Sequence, residues 1–220
     1  MNQVIVQSRD GVTLAGGGVF GKAALVRAQH YAPGLVAADG GADRLLALGA
    51  RPEAVIGDLD SISAQARAQL GPDRLFRISE QLTTDFDKAL RSIDAPFVLG
   101  LGFSGGLLDH GLAVLNTLIR HADRRCLILG SRDLIFAAPA EIELDLKPGS
   151  RLSLFPMAAV QGSSLGLRWP IDGLRFAPDA LIGTSNQVTG RVRLRFAAPG
   201  MLIILPLRAL PVVLHGLSLR

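Results

Sequence analysis

Cysteine is almost missing from this chain. The lone Cys126 excludes a disulfide framework and a thiolate metal site. Its setting, Arg125-Cys126-Leu127-Ile128-Leu129, reads as a buried strand in which it serves as a small core hydrophobe. Lysine is scarce as well. Of 23 basic residues, only Lys22, Lys88 and Lys147 are not arginine. No basic run is interleaved with aromatics, so nucleic acid is not an expected partner. Aromatics make up 5% of the residues, which leaves the core to aliphatic side chains and alanine. His30, His110, His121 and His215 have no ligand spacing, and a zinc site is not expected. The longest apolar run, 201–207, is far too short to span a bilayer. Asp10 and Gly11 fall where a signal peptide would need an apolar core. The expectation is a cytoplasmic protein with no membrane partner.

What is present begins with a sizeable core. The 220 residues are 49% hydrophobic and 19% charged, enough for one large domain or two small ones. The net charge of +4 is not spread evenly. Residues 1–140 hold 14 basic and 14 acidic side chains, whereas 141–220 hold 9 and 5. The texture changes near residue 133. Before it, short apolar strands (11–15, 34–38, 54–57, 74–78, 96–101, 125–129) alternate with helical patterns (23–31, 42–48, 62–70, 84–93, 107–122), as in a parallel α/β sheet. Ser61 is the expected cap of the third helix and Thr83 or Thr84 of the fourth. Leu112, Leu115, Ile119 and Ala122 are the expected apolar stripe of the fifth. After it, period-two runs such as Glu141-Ile142-Glu143-Leu144 and Arg191-Val192-Arg193-Leu194-Arg195-Phe196 predict an antiparallel β-sandwich. Two apolar strands, 201–205 and 211–214, carry more hydrophobic surface than a small sandwich needs, which suggests an oligomer.

Three acidic turns follow strands of the first part: Ala38-Asp39-Gly40-Gly41-Ala42, Gly57-Asp58-Leu59-Asp60-Ser61 and Thr83-Thr84-Asp85-Phe86-Asp87-Lys88. Turns at the carboxyl ends of parallel strands gather where ligands bind. Carboxylates crowded there repel one another unless a cation or a proton offsets them. A hard divalent ion, Mg²⁺ carrying phosphates, suits such a set of oxygen donors. Asp58 and Asp60, one residue apart on an extended turn, would point to the same side. The alternative for this pair is an Asx-turn with a helix cap. Asp85 opens a helix, where the dipole stabilises it with or without a ligand. Asp87 is expected to be solvated. Gly40-Gly41, Gly16-Gly17-Gly18 and Gly105-Gly106 offer backbone N–H groups to an anion, or simply make tight turns. Asp109 is a helix cap or a substrate contact, and His110 lacks a visible partner as a base.

These motifs, with Thr84-Asp85-Phe86-Asp87-Lys88-Ala89-Leu90, Gly105-Gly106-Leu107-Leu108-Asp109-His110, Gly166-Leu167-Arg168-Trp169 and Thr184-Ser185-Asn186, resemble in order and spacing those of the thiamine pyrophosphokinases. The resemblance spans residues 38–190. It implies an α/β fold with a Rossmann-like parallel-sheet domain over 1–133, binding ATP and Mg²⁺, and a β-sandwich over 134–220, binding thiamine. It implies transfer of the diphosphate of ATP to the thiamine hydroxyl with release of AMP, by a homodimer whose sites use both subunits. On this resemblance Asp58, Asp60 and Asp85 match the Mg²⁺ ligands, and Asp39 an acidic residue beside them. Gly40, Gly41, Gln81 and Asp109 fall on the nucleotide side, and Trp169, Ser185 and Asn186 on the thiamine side. Two positions depart from the pattern. Leu107 stands where an arginine is usual, and Leu82 where an acidic residue is usual, so a bidentate phosphate contact is lost. The rivals are a diphosphokinase of another alcohol, such as a hydroxymethylpterin, and a non-catalytic nucleotide or thiamine binder.

Overall fold

The computed structural model describes residues 4–219. The fold is mixed α/β, with parallel and antiparallel strand pairs. The chain divides into two compact units, one of Met1–Thr117 and Arg124–Gly130, the other of Leu118–Asp123 and Ser131–Arg220.

The first unit runs β1 (Val6–Gln7), β2 (Val12–Ala15), α1 (Lys22–Tyr31), β3 (Gly34–Ala38), α2 (Gly41–Ala47), β4 (Ala54–Gly57), α3 (Ala64–Leu70), β5 (Leu75–Arg77), α4 (Asp85–Arg91), β6 (Ile93–Asp94), β7 (Val98–Leu101), α5 (Leu108–Arg120) and β8 (Cys126–Leu129). Its paired strands are parallel: β3 with β4, β4 with β5, β2 with β7, β7 with β8, and β1 with β6. Strand β2 lies beside β3. From β2 the chain therefore steps outward to β3, β4 and β5, then returns to the opposite side of β2 at β7. That reversal is a topological switch point, where a crevice opens at the carboxyl ends of the strands. Every residue of β2, β4, β7 and β8 is buried. Strands covered on both faces read as continuous apolar runs, which is why these were visible in the sequence. The short β1–β6 pair, with two residues in each strand, carries no such signal.

Two local expectations are corrected. Helix α3 starts at Ala64 with Ser63 as its cap, accepting from the Ala66 N–H, and not at 62 with Ser61. The N–H groups of Ser61 and Ile62 are instead donated to Asp39, which holds that stretch outside the helix. On α5 the buried positions are Val114, Thr117 and Leu118, while Leu112 is 54% exposed. This helix carries apolar residues on two faces, so periodicity alone could not say which one meets the core. Thr84 caps α4 as expected, accepting from the Asp87 N–H.

The second unit runs β9 (Asp133–Ala137), β10 (Glu141–Leu144), β11 (Arg151–Pro156), β12 (Val160–Leu167), β13 (Arg175–Phe176), β14 (Gly183–Phe196), β15 (Met201–Pro206) and α6 (Leu210–Gly216). Its strands pair antiparallel, with the long β14 bonded to β10, β11 and β12, and β15 to β11 and β9. Val192, Leu194 and Phe196 turn inward. Arg191, Arg193 and Arg195 turn outward and pair with Glu141 and Glu143 across β10. Residues 211–214 are helical, not a strand: Pro211 sits in the first turn of α6, where its missing N–H costs nothing. Leu210, Val213 and Leu214 are buried, as are Met201, Leu202, Ile203 and Leu205. The apolar surplus foreseen at this end is therefore spent inside the unit. Among the described residues, no helix is long and apolar enough to cross a membrane.

Candidate active site

The acidic turns converge at the ends of β3 and β4 and the start of α4. Asp39 follows β3 with a left-handed backbone (φ 40°), which aspartate tolerates better than most residues. It is 3% exposed, and its two carboxylate oxygens accept from the N–H groups of Ser61 (3.0 Å) and Ile62 (3.1 Å). Asp39 thereby pins the loop that carries Asp58 and Asp60. The loop turns at Leu59 (φ 66°), a strained geometry for a leucine, costing on the order of 1–3 kcal/mol. It is not the extended turn that would face both carboxylates one way. The arginine Arg67 of α3 donates to the Leu59 carbonyl and holds the bend. Ligand atoms of Asp39, Asp58 and Asp60 lie within 4.8 Å of one another.

Asp85 joins from α4. Its Oδ1 accepts from the Asp58 N–H (3.2 Å) and from Lys88 Nζ (3.0 Å). The same ammonium donates to Asp58 Oδ2 at 3.0 Å. Gly57 makes the convergence possible: a Cβ there would lie 2.9 Å from Asp85 Oδ1 and 3.0 Å from the Asp39 Cβ. The electrostatics follow from these contacts. Burial pushes the Asp39 carboxyl above its ordinary range; the nearby Asp85 charge adds to this, and the Ser61 and Ile62 donors oppose it. The Lys88 hydrogen bond holds Asp58 below the usual carboxylate range. For Lys88, burial favours the neutral amine, but the bonds to Asp58 and Asp85 outweigh it and raise its pKa.

Beside this cluster a cavity of about 490 Å³ opens at the switch point between β2 and β7. Its walls include Gly16, Gly17 and Gly18 after β2, Asp39 and Gly40 after β3, and Gly102, Phe103 and Gly106 after β7. Phe86 and Phe103 pack against each other with their rings tilted by 51° and 4.5 Å between centroids, and give the wall an apolar part.

Of the residues singled out in the sequence, the structure brings Asp39, Asp58, Asp60 and Asp85 together. Gln81 Nε2 stands 3.5 Å from Asp58 Oδ2. Gly40 lines the cavity, whereas Gly41 packs against the Ala15 carbonyl. Asp109 is exposed at the head of α5 and accepts from the His110 N–H; His110, its neighbour, lines the cavity and Asp109 does not. Leu107 lines the cavity too, while Leu82 is 94% exposed. Asp87 is buried, not solvated, and Arg91 pairs with Glu80. In the second unit, Asn186 is buried beneath an exposed Trp169. Its side chain accepts from the Trp169 N–H (3.2 Å) and donates to the Trp169 carbonyl (2.6 Å). Ser185 sits at a left-handed turn (φ 58°) with its N–H bonded to Ser153 Oγ. The Arg168 guanidinium lies 5.0 Å from the Trp169 ring centre. Sequence reasoning missed Lys88, Phe86 and Phe103. For Lys88 a signal existed, since i and i+3 share a helix face and place it below Asp85.

Known proteins resemble this chain. Residues 27–129 match the thiamin pyrophosphokinase catalytic domain. Thiamine pyrophosphokinase 1 of Oryza sativa subsp. japonica is 29% identical over 187 residues, covering 70% of this chain and 71% of that protein. Thiamin pyrophosphokinase 1 of Caenorhabditis elegans is 28% identical over 155 residues, covering 63% of each. The thiamin pyrophosphokinase structure from Candida albicans superposes with a TM-score of 0.77 at 15% identity, covering 94% of both chains. The matched segment holds every residue of the acidic cluster together with Lys88, so the likeness to thiamine pyrophosphokinases falls on the part of the chain that carries the site.

Proposed function

We propose that this protein is a thiamine diphosphokinase, moving the diphosphate of ATP onto the hydroxyl of thiamine and releasing AMP. The observation that carries the reading is the convergence of Asp39, Asp58, Asp60 and Asp85 beside a cavity at the switch point of a parallel sheet. The donor set fits Mg²⁺: carboxylate oxygens without cysteine or histidine, those of Asp39, Asp58 and Asp60 within 4.8 Å of one another and Asp85 bonded to the Asp58 N–H. Asp58, Asp60 and Asp85 would hold the ion, with Asp39 fixing their loop. Held there, Mg²⁺ would supply positive charge to offset that of the transferred phosphates.

The chain's own task is alignment. Diphosphoryl transfer needs no covalent enzyme intermediate, so catalysis rests on placing the hydroxyl in line with the leaving AMP and on electrostatics. Glycines 16–18 and Gly40 let a phosphate approach the backbone closely. The Phe86–Phe103 wall suits a flat base. We assign residues 1–133 to a Rossmann-like nucleotide-binding domain and 134–220 to a β-sandwich that binds thiamine, a division supported by the parallel pairing of the first and antiparallel pairing of the second. Trp169 and Ser185 are the proposed thiamine contacts. A homodimer belongs to the same proposal. Its support is the group of exposed apolar side chains Leu165, Trp169, Leu181 and Ile182 on the second unit. A cytoplasmic setting is supported by the single, buried free thiol.

One observation favours a second reading. Among the described residues lining the cavity there is neither arginine nor lysine, and Leu107 occupies the expected arginine position. That departure leaves room for a changed substrate, such as a hydroxymethylpterin. The deciding experiment measures AMP release from ATP and Mg²⁺ with thiamine, and then with a hydroxymethylpterin. Turnover with thiamine alone supports the proposal. Turnover with the pterin alone, or with neither, rejects it.

A further inference from the structure

Lys88 is the unusual residue of this site. Its side chain is 2% exposed, yet it ends in an ammonium, and it ranks among the largest fully buried side chains of the protein. A buried cation is tolerated only when paired and hydrogen-bonded. Both conditions are met by two residues proposed to hold the metal: Nζ lies 3.0 Å from Asp58 Oδ2 and 3.0 Å from Asp85 Oδ1. The two acids arrive from different elements, Asp58 from the end of β4 and Asp85 from the start of α4. The direct link between them, from the Asp58 N–H to Asp85 Oδ1, is 3.2 Å long and engages the Asp58 backbone; the Asp58 carboxylate accepts from the Asp60 N–H (3.3 Å) and Gln81 (3.5 Å), neither of which ties it to Asp85. Lys88 does so.

From this geometry we infer that Lys88 is a positioning residue: a built-in cation that gathers the Asp58 and Asp85 carboxylates into register before metal and nucleotide arrive. The physical need is plain. Asp39, Asp58, Asp60 and Asp85 would otherwise present four like charges at one edge of the sheet, and like charges at such spacing push apart. A metal ion could hold them, but only while bound. Lys88 holds two of them permanently. Its helical position, one turn along from Asp85, makes the arrangement local on one side, so only the contact to Asp58 depends on how α4 packs against β4.

The inference makes the metal-free protein the place to look. Lys88→Met keeps an unbranched apolar stem and removes the charged head. In EDTA, the thermal midpoint of Lys88→Met should fall below wild type by several degrees. Added MgCl₂ should raise the midpoint of the variant by clearly more than it raises that of wild type, because the ion then supplies the missing cation. Adding Asp85→Asn to Lys88→Met removes one of the orphaned charges, and should recover part of the midpoint in EDTA. A midpoint in EDTA equal to wild type, an equal Mg²⁺ response in the two proteins, or no recovery in the double variant would each overturn the inference. If Lys88→Met fails to fold in EDTA, folding on addition of MgCl₂ or of Asp85→Asn supports the inference, and failure of both rejects it. A second arm rests on the diphosphokinase reading. There the turnover number should fall at least tenfold with the thiamine KM changed less than twofold, since positioning of phosphates is lost and thiamine contacts are not. The stability arm needs no substrate, so it stands or falls independently of that reading.

Discussion

At the scale of single residues, Asp58 and Asp60 are neighbours in sequence with different surroundings. Asp58 is 13% exposed and bonded to Lys88, whereas Asp60 is exposed and bonded to the Ser61 hydroxyl. Replacing each by asparagine should separate metal chemistry from stability. Both variants should lose roughly a hundredfold or more in turnover, since misplacing reacting groups by about 1 Å costs that much. Asp58→Asn should also lose about 1.5–3 kcal/mol of stability in EDTA, as expected for a hydrogen bond to a charged group, while Asp60→Asn stays near wild type. Kinetics together with urea melts check this, and turnover within twofold of wild type in either variant would remove that residue from the site. The aspartates were legible because acidic runs bordering apolar strands stand out in a chain with little charge. The bend that gathers them was not. The left-handed Leu59 has no marker in sequence, because leucine does not announce φ 66° as a glycine would. Lys88 was only half visible: its i, i+3 spacing marks the pair with Asp85, but its burial against Asp58 depends on α4 packing against β4, which no local pattern reports.

At the scale of elements, the two glycines after Asp39 divide the work. Both were read as places where a phosphate could approach. Gly40 lines the cavity and has an ordinary helical backbone (φ −57°), and a Cβ there would meet the Ser61 Cβ at 3.4 Å, an ordinary contact. Gly41 begins α2, and a Cβ there would stand 2.1 Å from the Ala15 carbonyl at the end of β2. That approach sets how closely α2 sits on the sheet, and the carbonyl belongs to backbone that cannot swing away. Gly41→Ala should therefore destabilise by about 1–3 kcal/mol, the usual cost of forcing atoms into a packed interior. Gly40→Ala should change stability by about 0.5 kcal/mol or less, as at a site with room. Equal midpoints for the two variants in thermal melts would refute the division. The parallel strands were readable because each is a short apolar run between turn residues. The α6 segment was not, since Pro-Val-Val-Leu fits a buried strand and the first turn of a helix equally well. The same ambiguity put the wrong stripe of α5 against the core.

At the scale of the whole molecule, chemistry is divided along the chain. Carboxylates of the site lie before residue 86, while the lone tryptophan and its support lie in the second unit. The basic excess of the last third was legible as a number but not as a structure: Arg191, Arg193 and Arg195 are ranged against Glu141 and Glu143 in a cross-strand ladder. The exposed apolar group of the same unit is the basis for self-association. Light scattering at micromolar concentration should give twice the chain mass, and a fully active species of single mass would refute the dimer. Within that group, Trp169 is 55% exposed although its backbone is clamped on both sides by the amide of the buried Asn186. The resemblance put Asn186 on the thiamine side; its amide is committed to the Trp169 backbone, so on the proposed reading it would act by positioning Trp169. A cationic thiazolium or a flat pyrimidine gains ~0.5–2 kcal/mol against such a ring. Arg168 stands over the ring at 5.0 Å from its centre. Trp169→Ala should raise the thiamine KM several-fold and leave that for ATP within twofold. Asn186→Ala should raise the thiamine KM less, and should also lower stability by about 1–3 kcal/mol, because the Trp169 N–H and carbonyl lose their buried partner. If both substitutions shift the two Michaelis constants equally, Trp169 is part of the sandwich and thiamine is recognised elsewhere.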